Sequence, residues 1–307
     1  MSFKIVIDIT CDLSAEIRER FGIEYIQGHV TYPDGQEIVS KMEWDVETCE
    51  EFYAKLKKNP EGYKTAPPTL PEVTAVFEEY AAKGEDVLYF CMSSKMSCTY
   101  DIACNARDDL KEKYPDVKIL VVDSRKFATG GGLLAVLAAV KREEGLGVEE
   151  TFAYCEEIKW SIHQAGWHDD LQFSAKKGRI SNSKAFMGTL IGIKPCGDFS
   201  KDGMTTVLTK IKGEKSAYRI LLDYIGETAI DPENQVMIVA SSARRPQAEK
   251  FLAMIKERFN PKEIYYTDIF RSSGSNSGPG IMACYYTGKK ISDDLKEEGE
   301  IFARLGN

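Results

Sequence analysis

Residues 86–106, DVLYFCMSSKMSCTYDIACNA, decide the fold class. Val87, Leu88, Tyr89, Phe90 and Cys91 form a short, almost wholly apolar run, the pattern of a strand buried on both faces. Ser93, Ser94, Ser97 and Thr99 then crowd a turn, and Ile102, Ala103, Ala106 and Leu110 mark one side of an amphipathic helix. A buried strand that empties into a hydroxyl-rich turn at a helix N-terminus is a common anion site, because free backbone N–H groups and hydroxyls converge there. The same hydroxyls also serve simply as helix caps, so the rest of the chain has to decide between the two readings.

Upstream, Phe3 to Ile9 reads as a first strand that ends in the polar turn Asp8 to Leu13, and Gly22 to Tyr32 reads as another strand. Asp45 is expected to cap a helix carrying Val46, Cys49, Phe52, Tyr53 and Leu56. The prolines of Lys64-Thr65-Ala66-Pro67-Pro68 force extended backbone. Thr69 and Glu72 make a capping box, with Pro71 in the first turn, for a helix that buries Val73, Phe77 and Tyr80.

Downstream, Val117 to Val122 is a second continuous apolar strand, and Gly130-Gly131-Gly132 begins a helix rich in Leu, Ala and Val. Neither G-x-x-x-x-G-K-[ST] nor G-x-G-x-x-G is present, so close helix–sheet packing is the reason assigned to these glycines. Short links between alternating strands and helices predict a parallel sheet with helices on both faces over residues 1–162, with the helix Val148 to Ile162 bridging to a second, smaller α/β layer over 163–307. That second half opens with Asp170-Leu171 and the basic run Lys176 to Ser181, followed by a short helix with Phe186, Met187, Leu190 and Ile191. Asp202-Gly203 is a hairpin signal leading into Thr205–Lys212. Helix Ser216–Glu227, strand Val236–Ala240, helix Gln247–Phe259, strand Glu263–Thr267, a loop from Arg271 to Gly280 and the apolar run Ile281 to Tyr286 complete the reading.

Composition narrows the function. The 307 residues are 43% hydrophobic and 29% charged, which is ordinary for a globular protein, and two domains fit that length. A formal charge of −8 argues against nucleic-acid binding, which needs a surplus of Lys and Arg. No apolar run reaches the length of a membrane span and no charged leader precedes the first strand, so a cytoplasmic protein without membrane insertion is expected. Eight cysteines show no C-x-x-C pair and sit mostly in apolar runs, so neither a metal site nor a disulfide framework is expected, and no cofactor.

In register along nearly the whole chain, eight short motifs resemble the DegV family of lipid-binding proteins. They are Asp8-Ile9-Thr10-Cys11-Asp12-Leu13, Thr65-Ala66-Pro67-Pro68, Ser93 to Tyr100, Val122-Asp123-Ser124, Lys177-Gly178-Arg179-Ile180-Ser181, Ile193-Lys194-Pro195, Asp202-Gly203 and Gly278-Pro279-Gly280. The resemblance implies two α/β domains with one long-chain fatty acid buried between them, its carboxylate presented to a separate fatty acid kinase that makes an acyl phosphate. It also implies that Thr65 and Ser94 bond the carboxylate, with Ser93 and Ser97 nearby, and that Arg179 lies near the head group or the kinase-facing surface. This chain departs from the family pattern at Ala66, Lys95, Cys98, Lys212 (for Arg) and Asn276 (for His).

A buried carboxylate needs several donors. Thr65, Ser94 and Asn276 each offer one hydrogen bond, with charge from Arg179 or Lys212. The tail contributes more: a chain of about fourteen methylenes, at about 0.8 kcal/mol each, gives roughly 11 kcal/mol before association costs. Phe186, Met187, Leu190, Ile191, Ile193 and Met282 are the candidates for lining it, and plain core packing is the alternative for each. A rival class is a serine hydrolase acting on a lipid ester through Ser94 or Ser97, with His29, His163 or His168 as base, although no G-x-S-x-G elbow is present. A lipid sensor without a kinase keeps the site and changes the partner.

Overall fold

The computed structural model describes residues 3–181 and 192–306. Its organising element is a four-stranded, all-parallel sheet in the order β2-β1-β6-β7. The strands are β1 (Lys4–Asp8), β2 (Ile23–Ile26), β6 (Val87–Cys91) and β7 (Ile119–Asp123). All five residues of β6 are buried, as its apolar run predicts. Val87, Tyr89 and Cys91 face the helices Leu70–Ala81 and Thr99–Lys111, while Leu88 and Phe90 face the helix Thr129–Glu143. A period of two splits one run between two cores, so no polar position interrupts it.

The second sheet has seven strands against the first sheet's four, in the order β13-β12-β14-β8-β10-β11-β9 with mixed direction. These are β8 (Ile162–His168), β9 (Ile180–Ser181), β10 (Ile193–Phe199), β11 (Thr205–Lys212), β12 (Val236–Ser241), β13 (Glu263–Asp268) and β14 (Ile281–Thr287). The helix Thr129–Glu143 packs between the two sheets, with Leu133, Leu134 and Val136 in one core together with Ile5 and Phe90 on one side and Ala240 and Tyr285 on the other. The glycines at its start permit this. A Cβ on Gly132 would stand 2.4 Å from the Cys11 carbonyl oxygen, and one on Gly130 would stand 2.8 Å from the Phe199 ring. The opposite face of the seven-stranded sheet is covered by helices Glu214–Thr228, Arg245–Phe259 and Lys296–Gly306.

Four expectations are corrected. The stretch Gly22 to Tyr32 is two strands: β2 joins the parallel sheet, whereas β3 (Gly28–Thr31) pairs with β4 (Glu37–Ser40) and β5 (Lys64–Ala66) in a small antiparallel sheet. The helix Cys49–Lys58 is capped by Thr48 with Glu51, leaving Val46 outside it and 59% exposed, while Asp45 pairs with Lys41 and Arg271. The bridging helix ends at Ile158 and hands over, through a short 3-10 turn, to β8 in the interior of the seven-stranded sheet. Finally, Arg271–Ser277 is a helix, not a loop. Its polar residues are held by tertiary partners: Ser272 Oγ donates to Ser40 Oγ at 3.0 Å, and the fully buried Arg271 donates to the Glu43 carbonyl at 2.8 Å.

Candidate functional site

Sequence motifs that read as separate islands meet at the C-terminal edge of the parallel sheet, where open α/β sheets place ligands. Asp8, at the end of β1, accepts hydrogen bonds from the Met92 N–H at 2.9 Å, the Thr10 N–H at 2.6 Å and the Thr10 hydroxyl. Burial raises the Asp8 pKa against these lowering contacts. Asp12, with φ 47°, accepts the Phe270 N–H at 2.9 Å, and its carbonyl accepts the Thr267 hydroxyl at 2.9 Å. The first motif therefore ties the parallel sheet to the start of the helix Arg271–Ser277.

Between these elements lies a cleft of about 250 Å³, whose lining mixes the polar Asp8, Thr10, Thr65, Ser97, Thr99, Arg179 and Asn276 with apolar side chains such as Met96 and Phe127. Thr65 sits on β5, which Pro67 and Pro68 keep extended. Asn276 Nδ2 donates to the Thr65 hydroxyl oxygen at 3.0 Å and to the Ser272 carbonyl at 3.0 Å. Both amide protons are thereby used, so Asn276 orients Thr65 and leaves the Thr65 hydroxyl proton free to donate into the cleft. Ser97 and Thr99 share a hydroxyl–hydroxyl bond of 2.7 Å at the N-terminus of the helix Thr99–Lys111, whose capping position, Cys98, supplies no side-chain cap. Hydroxyls and a positive helix end therefore face the same space.

A second, narrow cavity of about 40 Å³ lies against the seven-stranded sheet and shares Phe127 and Arg179 with the cleft. Its walls include Ala128, Leu171, Ile180, Val207, Ile281 and Tyr285, together with Gly166 and Gly197, which face each other across β8 and β10. Arg179, half-buried in the segment before β9, stands at the junction of the two spaces and donates through Nη1 to the Lys177 carbonyl. The two spaces therefore adjoin, the first with hydroxyls and a helix N-terminus at its wall, the second too narrow as it stands for more than a water-sized occupant.

The expected site residues are not all brought together. Thr65, Ser97, Asn276 and Arg179 line the cleft. Ser94 does not: its N–H donates to Asp123 Oδ1 at 3.1 Å, and it lines a separate open groove with Lys95, Arg125 and Trp160. Ser93 is buried, its carbonyl accepting the Met96 and Ser97 N–H groups, and its hydroxyl sits where a Cβ on Gly203 (φ +80°) would lie 2.2 Å away. Ser93 thus shapes the turn and seats the Asp202-Gly203 hairpin. Lys212 is exposed at the far end of β11, opposite Ile193, and lines neither space, nor does Ile193. Met282 belongs to the core on the other face of β14, and the alternation of the strand puts Ile281 and Tyr285 toward the cavity instead. Phe186, Met187, Leu190 and Ile191 lie outside the described residues. Thr10, Thr99 and Phe127 are lining residues that sequence reasoning missed, although Thr10 and Thr99 stand in motifs it had singled out.

Among the described residues, no histidine is hydrogen-bonded to Ser94 or Ser97. His29 Nε2 contacts Glu72 at 3.0 Å, His163 is buried against Asp198, and His168 is buried beside the inner cavity, while the Ser97 hydroxyl is bonded to Thr99. Among the described residues, no group of His, Cys, Asp and Glu is arranged to hold a metal ion, and no helix is long and apolar enough to cross a membrane.

A family model described as uncharacterised proteins of the DegV family matches residues 2–289. A DegV domain-containing protein of Clostridium perfringens is 31% identical over 291 residues, covering 93% of this chain and 97% of that one. Among solved structures, a DegV family protein of Thermus thermophilus described for its fatty acid binding superposes with a TM-score of 0.82 at 23% identity, over 94% of this chain and 100% of that one. A stearic-acid-binding protein of Eubacterium ventriosum superposes with a TM-score of 0.80 at 22% identity, over 94% of this chain and 99% of that one. These likenesses establish the mixed α/β fold, a parallel sheet plus a second sheet.

Proposed function

Because this chain belongs to the DegV family, we propose that it binds one long-chain fatty acid between the halves 1–162 and 163–307 and presents the carboxylate to a separate fatty acid kinase. The carboxylate lies in the cleft, taking hydrogen bonds from Thr65 and from the Ser97–Thr99 turn, and the acyl chain passes Arg179 into the inner cavity. One observation carries the reading: Arg179 and Phe127 border both the cleft that holds Thr65 and Ser97 and the inner cavity against the seven-stranded sheet. A cation at the junction of these two spaces suits an amphiphile with one anionic end. The bore of the inner cavity is narrow, so uptake requires its walls to part.

In this reading the protein is a cytoplasmic carrier and the kinase does the chemistry. A serine hydrolase would need a base against Ser94 or Ser97, and the partners of His29, His163 and Ser97 favour the carrier instead. Organic extraction of purified protein followed by mass spectrometry is the test. About one fatty acid per chain is the expected result, and a lipid-free extract from protein that also fails to bind added long-chain acids would sink the proposal. Adding a kinase and ATP to the loaded protein separates a carrier, which yields acyl phosphate, from a sensor, which does not.

A further inference from the structure

The wall of the inner cavity carries a polar group that a plain hydrocarbon chain cannot satisfy. His168, the last residue of β8, lines this cavity and is 8% exposed, and its Nε2 is buried without a hydrogen-bond partner among the described residues. Three of the hydroxyls that line it are already engaged. Ser174 Oγ donates to the Ser277 carbonyl at 3.3 Å, Thr206 Oγ1 bonds Ser181 Oγ at 2.5 Å, and Ser277 Oγ donates to the Ser273 carbonyl at 3.1 Å. Trp167 also has an unpartnered ring nitrogen, but its indole packs edge-on to Tyr218 in the core of the opposite face. His168 lies on the other side of the sheet from Trp167, with its buried Nε2 still unpartnered among the described residues.

Its charge state matters to what it accepts. Burial pushes the His168 pKa down to about 4, against the opposing pull of Asp170, Asp169 and a hydrogen bond from the ring to the Ser277 backbone, so the ring is neutral near pH 7. A neutral imidazole does not call for an anion. It calls for one neutral hydrogen bond, and a methylene cannot supply it. A hydroxyl both donates and accepts, so it satisfies Nε2 in either tautomer.

We propose that the preferred ligand is a hydroxylated long-chain acid, whose chain hydroxyl bonds His168 Nε2 while the carboxylate occupies the cleft around Thr65 and Ser97. The inference rests on the acyl chain lying in the inner cavity, as in the carrier reading above. It assigns His168 the role of specificity residue for a position along the chain, distinct from the head-group contacts.

The test is a set of binding isotherms for stearic acid and for hydroxystearic acids with the hydroxyl at successive positions, using the delipidated full chain. One isomer, or two adjacent ones, should bind about tenfold tighter than stearic acid, the worth of one buried hydrogen bond. In His168→Phe that preference should vanish while stearic acid binds as well or better, and His168→Gln should keep part of it. Equal affinity of the wild type for stearic acid and every isomer would overturn the inference and leave the carrier reading standing. So would a preference that survives in His168→Phe. Failure of all these acids to bind would overturn the carrier reading itself, and the inference with it. Because the wild-type series is decisive by itself, a variant that fails to fold does not remove the test.

Discussion

Asn276 and Thr65, 211 residues apart in sequence, are joined by a 3.0 Å bond in which the amide donates and the hydroxyl oxygen accepts. The direction of that bond fixes the chemistry of the cleft. With its oxygen accepting from Asn276, the Thr65 hydroxyl keeps its proton free to donate into the cleft.

Reversing the bond should therefore damage binding as much as deleting the hydroxyl. In Asn276→Asp the carboxylate accepts the Thr65 proton and adds a negative charge beside the ligand's own. Both Asn276→Asp and Thr65→Val should weaken long-chain acid binding by about 1 kcal/mol, the net worth of one hydrogen bond from an exposed hydroxyl. Isothermal titration at neutral pH checks this, and wild-type affinity in Thr65→Val would remove Thr65 from the site.

Ser94 and Ser97, three residues apart, should behave differently. Ser97 lines the cleft and Ser94 lines the open groove beside Asp123. Ser97→Ala should weaken binding by about 1 kcal/mol, whereas Ser94→Ala should leave it unchanged. The opposite ranking would mean that the head group binds on the other side of the serine turn.

Arg179 offers a charge at the boundary between cleft and cavity. Arg179→Ala should cost about 1.5–3 kcal/mol of affinity for a fatty acid, the usual worth of a charge-assisted hydrogen bond, with Arg179→Lys losing less. The corresponding alcohol, which has no carboxylate, should bind wild type and variant alike. A variant with normal binding but slower acyl-phosphate formation would move Arg179 to the kinase-facing surface.

The pH dependence of stability should carry the signature of His163. Its Nδ1 contacts Asp198 at 2.5 Å and its Nε2 contacts the Lys289 carbonyl at 2.7 Å; both are acceptors, so the ring satisfies them only as the imidazolium. Burial works to lower the His163 pKa, but the Asp198 carboxylate and the Lys289 carbonyl outweigh it, and the net shift is upward. A raised folded pKa means that the pair's stabilisation is fully present below the unfolded value near 6.5 and is lost as pH rises through the folded value. Asp198 also accepts from the Tyr224 hydroxyl at 2.6 Å and from the Gln164 and Phe199 N–H groups, each at 2.7 Å. Asp198→Asn should therefore cost about 3–5 kcal/mol at pH 6, the price of unpairing a buried charge, and less at pH 9. Urea unfolding midpoints at the two pH values measure it, and an equal loss at both would assign the effect to packing alone.

What could be read from the chain, and what could not, divides along physical lines. The strand Val87–Cys91, the capping box at Thr69 and Glu72, and β11 beginning at Thr205 after Asp202-Gly203 rest on local signals that the tertiary structure leaves intact. Strand β8 escaped because Ile162 to His168 mixes two histidines, a glutamine and a glycine into a sheet interior, where His163 is made tolerable only by Asp198. The helix Arg271–Ser277 escaped because serines, glycine and asparagine favour turns, and here long-range partners at Ser40, Thr10 and Thr65 override that preference. Within the site, spacing could name the serine turn but not tell which hydroxyl faces which side of it. Met282 was off by one residue, which on a strand means the opposite face.

The helix Thr129–Glu143 is part of a core shared by both sheets, and that arrangement constrains how cargo gets in. A clamshell that swung its halves apart would have to strip this helix from one sheet, baring Leu133, Leu134 and Val136 to water. At about 1.5–3 kcal/mol for each such side chain, that opening is far dearer than moving a few residues at the rim. Loading and unloading should therefore be a local affair, in which the segment around Arg179 yields and the body of the protein stays shut. Amides of the Thr129–Glu143 helix should exchange with solvent only at the rate of global unfolding whether or not a fatty acid is bound, while those near Arg179 should slow when it is.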